Sequence, residues 1–587
     1  MRKIYFLSLF LFIVSIAIAQ EKTELKWWNP AESEFPAVAG QAWTGETNSI
    51  YHRLPARMED KVRNPVWELS KHSAGLSIRF WSNAPNIHIK YKVKGNISMP
   101  HMPATGVSGV DLYGKNEHGE WLRSWGSYNI NKESSYKFSI DEKSEVYKKY
   151  GREYQLFLPL YNEVEVLEIG VASNSFVKPM PIRNEKPIVA YGTSICQGAC
   201  ASRPGMAWTS ILERKLERPF INLGFSGNGR LEPELIDLLT EIDAKLYILD
   251  CLPNLSPQRD DTYQLVVNAV KKIRAKRPKT PIILTEHIGY ANEFTNKVNQ
   301  VKYQTLNNAL QSAFEELKSD GYTNIFVLTK DDMNLQPDSY VDYIHPSDLG
   351  MMEYANAYEN LIRKITNEPK GSLSTTIPKT QRRDIAVCEW EERHQEILET
   401  NKTNPPEVCF VGNSIVHFWG EEPKTRVVNG KNSWDKILKP LGVRNFGFGW
   451  DRLENMIWRV HHDEFDGFDA KQILIMAGTN NLHLNSEDEI IAGLEVLVEA
   501  IRIRQPKSKI VLIGILPRKE REEKVNSLNR KISKMANLKN VAYKNIGDVL
   551  LLQDGKIDDT MFTDGLHPNK KGYALLATKI EAIVKED

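Results

Sequence analysis

Hydrophobic and polar residues alternate in short runs through the first third of the chain. The segments 76–80, 87–91 and 164–172 place apolar side chains at about every second position. Asn, Pro and Gly residues separate such runs, as turns between strands do. Short strands at this spacing are typical of two packed antiparallel sheets. The pattern therefore predicts an all-β sandwich domain over residues 20–184.

The pattern changes after this segment, where fully apolar runs alternate with amphipathic helical segments. These runs lie at residues 188–191, 246–249, 282–284 and 325–328, and again at 408–411, 472–476 and 510–513. Continuous apolar runs are typical of parallel strands that helices cover on both faces. The pattern predicts two doubly wound α/β domains, at residues 185–367 and 382–587. The Pro-, Ser- and Thr-rich segment 368–381 predicts a linker between them.

The amino terminus carries a targeting pattern. Arg2 and Lys3 precede an apolar run over residues 4–18, and Ala17-Ile18-Ala19 has the small residues of a cleavage site. No later segment reaches the roughly 20 apolar residues of a membrane span. We expect residues 1–19 to be a signal peptide. The mature chain is then expected to be exported, periplasmic or extracellular, as a soluble protein without a stable membrane anchor.

Composition narrows the range of partners. The 587 residues carry 76 Lys and Arg against 75 Asp and Glu, so no positive field for a polyanion exists. Nucleic acid is therefore not an expected partner. A hydrophobic content of 41% supplies apolar material for several cores and excludes a disordered chain.

Cysteine and metal-ligand patterns give little support for a disulfide scaffold or a metal centre. The five cysteines are sparse and odd in number, and a Cys200–Cys251 bridge and free thiols remain alternatives. No HExxH, paired CxxC or Walker loop occurs in the sequence, so neither a metal nor a cofactor is predicted. The polar run 461–464 (HHDE) favours a solvated helix end over a metal site.

Both α/β halves contain the same four landmarks in the same order. Each begins with a strand that ends in Gly-x-Ser, followed by an Asn-x-Gly turn, a further Asn and an Asp-x-x-His-Pro segment. Ser194 and His345 are 151 residues apart, and Ser414 and His567 are 153 residues apart. Four landmarks that recur at such similar offsets indicate an internal duplication.

The landmarks match the parts of a nucleophilic acyl-transfer site. A serine hydroxyl attacks an ester only when an imidazole takes its proton, and a carboxylate must orient that imidazole. In a doubly wound sheet, the carboxyl ends of the strands meet in one crevice, so these residues can converge. The predicted catalytic residues are Ser194, Asp342 and His345 in the first half and Ser414, Asp564 and His567 in the second.

These residues resemble the four blocks of the SGNH (GDSL-type) hydrolase family, which are Ser, Gly, Asn and a terminal Asp-x-x-His. The first half resembles a bacterial branch through residues 192–205 (GTSICQGACASRPG), and residues 109–113 (GVDLY) match the motif of its upstream β-domain. The second half resembles the platelet-activating-factor acetylhydrolase branch through residues 445–449 and 478–481. The resemblance implies two flavodoxin-like, three-layer domains after the sandwich.

The resemblance also implies which groups stabilise the oxyanion, together with the N–H groups of the two serines. The matching positions are Gly227 and Asn254 in the first half, and Gly449, Trp450 and Asn480 in the second. Three departures from the family pattern occur. They are Thr193 and Asn413 in place of the GDSL aspartate, Pro253 before Asn254, and Trp450 where the oxyanion glycine is expected.

Exported multidomain members of this family are typically carbohydrate esterases. The resemblance therefore implies a bifunctional serine esterase that removes O-acetyl groups from an acetylated oligo- or polysaccharide. Two alternatives stay open: one active esterase beside a degenerate, glycan-binding copy, and a lipid or phospholipid esterase. Tryptophans of the sandwich could bind sugar rings, although core packing explains them equally well. They are Trp27, Trp28, Trp43, Trp67, Trp81, Trp121 and Trp125.

Overall fold

The computed structural model describes residues 24–141, 143–383, 390–420, 423, 425–539 and 541–586. The predicted signal peptide lies outside the described residues. Within them, four sheets are formed. None of the helices in these ranges is both long enough and apolar enough to cross a membrane.

Two antiparallel sheets form the amino-terminal domain. Their strands are β1 (Leu25–Trp28), β2 (Val38–Ala39), β3 (Ser77–Ser82), β4 (Asn86–Val93), β5 (Asp111–Lys115), β6 (Trp121–Arg123), β7 (Gly126–Asn129), β8 (Glu133–Ser139), β9 (Arg152–Phe157), β10 (Val164–Ala172) and β11 (Val177–Pro179). One sheet has the order β1-β10-β4-β8-β7, and the other has the order β11-β3-β9-β5-β6 with β2 beside β3. Because side chains alternate between the faces of a strand, the apolar set of each sheet meets in one shared core.

Two parallel sheets with the same strand order follow. The first contains β12 (Ile188–Gly192), β13 (Phe220–Gly224), β14 (Leu246–Asp250), β15 (Ile282–Thr285) and β16 (Ile325–Leu328), in the order β13-β12-β14-β15-β16. The second contains β17 (Val408–Gly412), β18 (Val443–Gly447), β19 (Gln472–Met476), β20 (Lys509–Ile513) and β21 (Ala542–Lys544), in the order β18-β17-β19-β20-β21. The order reverses beside β12 and beside β17, and such a reversal opens a crevice at the carboxyl ends of the strands.

Among the described residues, the first three helices lie in the amino-terminal domain, and the later helices cover both faces of each parallel sheet. The helices are α1 (Asn64–Ser70), α2 (Ala104–Val107), α3 (Glu145–Tyr150), α4 (Ser194–Gln197), α5 (Trp208–Leu216), α6 (Pro233–Leu239), α7 (Thr262–Lys276), α8 (Lys297–Ser319), α9 (Lys330–Met333), α10 (Asp348–Thr366), α11 (Trp390–Thr403), α12 (Ser414–His417), α13 (Lys431–Ser433), α14 (Leu453–Arg459), α15 (Glu487–Arg504), α16 (Glu522–Leu538) and α17 (Lys570–Val584). In the first α/β domain, α6–α8 pack on one face and α4, α5 and α10 on the other. The predicted fold class, a β-domain before two doubly wound domains, is confirmed.

The sandwich packs directly against the first α/β domain. Arg203 donates to Asp111 and, at 2.6 Å, to the hydroxyl of Tyr113. Trp43 and Trp67 of the sandwich belong to the same buried cluster as helices α6–α8. The two sequence motifs therefore meet, because Asp111 and Tyr113 come from the GVDLY segment and Arg203 from the segment after Ser194.

The predicted linker lies against folded domains. The hydroxyl of Thr375 donates to the carbonyl of Glu489 at 2.7 Å. Just beyond the predicted linker, Arg382 pairs with Glu153 of the sandwich at 2.6 Å. Glu153 also pairs with Arg79 at 2.7 Å, so a buried ionic cluster connects the sandwich to this segment.

The prediction of a solvated helix end at residues 461–464 is wrong. His461, His462 and Glu464 are fully buried between the two α/β domains. Asp463 pairs with Arg218 at 2.9 Å and with Lys245 at 2.6 Å, both from the first α/β domain. These partners lie more than two hundred residues away in sequence, so the local polar pattern could not show them.

The cysteines of the described residues are free thiols. Cys196, Cys200, Cys251 and Cys409 are all buried, and no bridge joins Cys200 to Cys251. Cys388 lies outside the described residues. A disulfide therefore makes no contribution to the described fold.

Candidate active sites

Each predicted nucleophile begins a short helix directly after the strand next to the reversal of strand order. Ser194 follows β12 and begins α4, and Ser414 follows β17 and begins α12. The residue before each serine caps the helix: the side chains of Thr193 and Asn413 accept from the N–H of the residue after the serine. These caps explain how Thr and Asn replace the family's aspartate without changing the turn.

The first site brings together the three residues that the sequence predicted. Ser194 Oγ lies 2.9 Å from His345 Nε2, and His345 Nδ1 lies 2.8 Å from Asp342 Oδ2. The other oxygen of Asp342 accepts from the N–H groups of Ile344 and His345, each at 2.8 Å. The carboxylate is therefore fixed, and it holds the imidazole with Nε2 toward the serine.

The second site repeats this geometry. Ser414 Oγ lies 2.9 Å from His567 Nε2, and His567 Nδ1 lies 2.7 Å from Asp564 Oδ2. Asp564 Oδ1 accepts from the N–H groups of Leu566 and His567, at 3.0 and 2.8 Å. Ser194 and Ser414 are 8% and 7% exposed, so both hydroxyls lie at the floor of their sites.

Both aspartates are held in their ionised form. Partial burial raises the pKa of Asp342, but hydrogen bonds from the backbone and side chain of His345 and from Ile344 outweigh burial and leave the pKa below its ordinary value. The pKa of Asp564 is lowered by the equivalent bonds from His567 and Leu566 against the same effect of burial. Each histidine therefore faces a negative charge, which stabilises the imidazolium formed during acyl transfer.

The turn after the second strand of each domain has the same backbone form in both sites. Gly227 has φ +69°, and Trp450, at the corresponding position, has φ +67°. The preceding N–H is already used: Ser226 donates to Gln197 Oε1 at 3.0 Å, and Gly449 donates to His417 Nδ1 at 2.9 Å. This bond corrects the prediction that Gly449 is an oxyanion donor.

The N–H groups of Gly227 and Trp450 stay available, since neither has an acceptor among the described residues. The predicted asparagines lie beside the same turns. Asn254 ends a short 3₁₀ turn, Leu252–Asn254, and its Nδ2 lies 3.2 Å from the carbonyl of Gly229. Asn480 Nδ2 lies 2.9 Å from the carbonyl of Asp451. Because an amide has two N–H groups, Asn480 keeps a second one for a ligand. The second N–H of Asn254 has a more distant acceptor, the carbonyl of Phe225 at 3.5 Å.

Two buried arginines that the sequence did not predict hold these turns. Arg53, from the sandwich, donates to the carbonyls of Asn222 and Gly224 at 3.2 and 2.8 Å. Its guanidinium also lies 5.0 Å from the ring centre of Phe225. No local motif marks Arg53, because its partners are distant in sequence and are backbone atoms.

The second site has the matching arginine from a different element. Arg393 on α11 donates to the carbonyls of Gly447 and Asn445 at 2.7 and 3.1 Å. Its guanidinium lies 5.4 Å from the ring centre of Phe448. Each of these two turns is therefore held by an arginine from outside the duplicated strand–turn unit.

The sandwich supplies much of the wall of the first site. A cavity of about 470 Å³ beside His345 is lined by Tyr161, Ser226 and Asn228. The sandwich side chains that complete the wall include Leu69, His72, Met99, His101 and Met102. The first site therefore lies between two domains, which the sequence pattern did not reveal.

A set of possible metal ligands surrounds the first histidine–aspartate pair. His101, Cys200, Asp342 and His345 each offer one ligand atom, and these atoms lie within 4.8 Å of one another. Among the described residues, this is the one group of three or more His, Cys, Asp or Glu side chains that is arranged to hold a metal ion. The buried polar run 461–464 is not part of any such cluster.

Comparisons with known proteins match all three domains. The model of the GDSL-like Lipase/Acylhydrolase family matches residues 185–363, and a second model with the same description matches residues 410–575. A model described as the N-terminus of Esterase_SGNH_hydro-type matches residues 25–177.

Individual relatives agree with these matches. Human platelet-activating factor acetylhydrolase IB subunit alpha2 is 31% identical over 205 residues, which are 34% of this chain and 84% of that protein. The bovine alpha1 subunit is 24% identical over 200 residues, which are 33% of this chain and 82% of that protein. A crystal structure described as a GDSL-like lipase from Bacteroides ovatus matches with a TM-score of 0.53 and 32% identity, over 59% of this chain and 98% of that one. The chain thus belongs to the GDSL-type (SGNH) hydrolase family and is a serine hydrolase that acts on esters.

Proposed function

We propose that this protein is an exported esterase with two working sites, which removes O-acetyl groups from an acetylated oligo- or polysaccharide. The observation that carries the proposal is the pair of Ser–His–Asp arrangements with matching distances. Serine to histidine is 2.9 Å in both sites, and histidine to aspartate is 2.8 and 2.7 Å. A degenerate copy under no constraint would not keep all three groups in contact.

The geometry supports an acyl-serine mechanism in each site. The histidine takes the hydroxyl proton as the serine oxygen attacks the ester carbonyl. The N–H of Gly227 or Trp450 and the amide of Asn254 or Asn480 stabilise the negative oxygen that forms. The histidine then protonates the departing alcohol. A water molecule, activated by the same histidine, releases the acid and restores the serine.

Two features support a short acyl group on a sugar. The relatives at 31% and 24% identity are named acetylhydrolases, which indicates that this framework accepts an acetyl ester. Trp450 beside the second site is 57% exposed and offers an aromatic face of the kind on which sugar rings stack. Export is supported by the leader pattern at residues 1–19.

The decisive experiment compares acetate release by four proteins from a panel of acetylated polysaccharides. They are the wild type, Ser194→Ala, Ser414→Ala and the double variant. Each single variant should lose the activity of one site, and the double variant should lose at least about 10³-fold overall. Ser256→Ala, a change of another serine in the first α/β domain, is the matched control. Full activity of the double variant would refute the proposed nucleophiles.

A lipid ester is the second candidate, and exposed apolar residues beside the first site favour it. Phe294 and Tyr343 are 75% and 53% exposed, and Tyr343 follows Asp342 directly. The N–H of Ala291 donates to the carbonyl of Tyr343 at 3.0 Å, which places the two loops together. The Ser414→Ala variant reports on the first site alone. If it hydrolyses long-chain acyl esters faster than acetyl esters, this candidate is favoured for the first site.

A further inference from the structure

The first site has a cluster of ligand atoms that the second site lacks among the described residues. His101 comes from the sandwich, Cys200 lies six residues after Ser194, and Asp342 and His345 are the proposed orienter and base. We propose that a zinc-like divalent cation binds these four side chains and switches off the first site while the second stays active. This inference rests on the proposed function, because it takes His345 to be the base.

The donor set suits such a cation. One sulfur, two imidazole nitrogens and one carboxylate oxygen are the ligands that Zn²⁺ prefers, usually in a tetrahedron. Bonds of roughly 2.0–2.3 Å require ligand atoms about 3.3–3.8 Å apart. The four atoms already lie within 4.8 Å of one another, so closure needs shifts of an ångström or so. His101 is exposed, and its ring centre lies 5.7 Å from that of His345, so His101 can make most of this movement.

Binding of a cation is incompatible with catalysis at this site. Both nitrogens of His345 are in use: Nε2 faces Ser194 Oγ at 2.9 Å, and Nδ1 faces Asp342 at 2.8 Å. A metal on Nε2 removes the acceptor of the serine proton. A metal on Nδ1 takes the place of the proton shared with Asp342, so the hydrogen bond that orients the imidazole is lost. The thiol of Cys200 gives its proton to the solvent on coordination, so no other reactant is needed.

The second site provides an internal control. The position six residues after Ser414 is Gly420, which offers no ligand. The ring of Phe418 lies 5.2 Å from the ring of His567, so an aromatic ring rather than a second imidazole lies beside this histidine. Within the part of the chain that the structure describes, no group of three or more ligating side chains forms around the second histidine and aspartate.

The test uses two proteins that each keep one serine. Ser414→Ala reports on the first site and Ser194→Ala on the second, with an aryl acetate as substrate in metal-free buffer. Zinc chloride should inhibit the first site at concentrations at least about tenfold lower than the second, and EDTA should restore it. Equal sensitivity of the two proteins would overturn the proposal.

Ligand variants then test the cluster itself. Cys200→Ala in the Ser414→Ala background should raise the half-inhibitory zinc concentration roughly tenfold or more, and Cys251→Ala, another buried thiol of this domain, should not. Sensitivity is measured relative to each variant's own activity in EDTA. If Cys200→Ala does not fold, His101→Ala must give the same loss of sensitivity. Unchanged sensitivity in a folded variant of either ligand would refute the site.

A spectroscopic measurement separates this inference from the proposed function. Co²⁺ added to the variant without either serine should give a thiolate-to-cobalt charge-transfer band, which the further change Cys200→Ala should remove. If the wild type hydrolyses no ester but this band appears, the proposed function fails and the metal site stands. If the wild type is active but no Cys200-dependent band forms, the metal site alone is refuted.

Discussion

At the scale of single residues, Trp450 is the clearest departure between the two sites. It adopts φ +67°, a left-handed conformation that Gly227 adopts at +69° without a side chain. Holding a large residue there costs on the order of 1–3 kcal/mol. The indole is not packed in the core, since it is 57% exposed. The strained backbone keeps the N–H of the turn in place, and the side chain is left to contact a ligand.

We therefore expect Trp450→Gly, tested in the Ser194→Ala background, to change substrate preference more than stability. Relief of strain, on the order of 1–3 kcal/mol, and the higher entropy of unfolded glycine, roughly 0.5–1 kcal/mol, act on stability in opposite directions. The variant should still turn over substrate. Its preference, measured as kcat/KM for an acetylated oligosaccharide divided by kcat/KM for an aryl acetate, should fall severalfold, because one stacking contact contributes about 1 kcal/mol.

The reciprocal change, Gly227→Trp in the Ser414→Ala background, is the matched control. A Cβ atom at Gly227 would meet no atom within 4 Å, so a side chain can begin there without a clash. An unchanged preference in both variants would contradict a role for the indole. If Ser414 were inert in the wild type and active only with Trp450→Gly, the second site would be a degenerate copy.

The proposed catalytic residues could be predicted from the sequence because the topology brings them together. The reversal of strand order fixes where a strand-end serine lies, and Asp-x-x-His before the last helix ends at the same edge. Arg53, Arg393 and His101 could not be predicted in this way. The contacts of Arg53 and His101 cross between domains, and Arg393 joins distant parts of the second α/β domain. The arginines also bind carbonyls, which every residue carries.

At the scale of secondary structure, the apolar runs located the strands well. The runs 164–172, 325–328 and 472–476 coincide with β10, β16 and β19. The parallel strands β16 and β19 allow this because helices cover both of their faces and nearly every position is apolar. β10 has Glu165 and Glu168 among its apolar residues, and its alternation located it instead. The helix end predicted at 461–464 failed for the opposite reason, since its charges are compensated by residues far away in the chain.

The turns after β13 and β18 depend on elements outside their own sheets. Arg53 and Arg393 satisfy carbonyls that flank the proposed oxyanion N–H, so each arginine is a positioning residue. Arg53→Met in the Ser414→Ala background should lower kcat by roughly 10- to 100-fold with little change in KM, because a misplaced donor weakens the transition state only. Arg393→Met should do the same in the Ser194→Ala background.

Each arginine variant is also tested in the background that reports on the other site, which shows whether the protein still folds. Arg53→Met in the Ser194→Ala background should leave turnover by the second site close to normal. Arg53→Lys should restore part of kcat, because one donor remains, and Arg57→Met removes a guanidinium from an exposed pair as a control. A fall in kcat with an equal rise in KM would indicate a structural role instead. Loss of activity at both sites together would indicate the same.

At the scale of the whole molecule, the three domains form a packed unit with buried charges at the junction. His394 on α11 lies between a carboxylate of each α/β domain. Its Nδ1 is 2.7 Å from Glu464, and its Nε2 is 3.7 Å from Glu185. Burial lowers the pKa of His394, but the hydrogen bond with Glu464 and the charges of Glu185 and Glu464 outweigh burial and raise the pKa to about 9. The imidazolium therefore connects the two α/β domains at neutral pH.

This placement predicts that the interface weakens in alkaline solution. Because the folded pKa of about 9 exceeds the unfolded value of 6.5, the stabilisation is complete below pH 6.5 and is lost as pH rises through 9. A shift of this size corresponds to roughly 3 kcal/mol. The midpoint temperature of thermal unfolding should fall for the wild type as pH rises from 6.5 to 9. It should fall by several degrees less for His394→Gln, because glutamine has no charge to lose. His118→Gln, at an exposed surface pair, serves as the control and should follow the wild type. If His394→Gln and the wild type showed the same dependence on pH, the charge on His394 would have no part in holding the two α/β domains together.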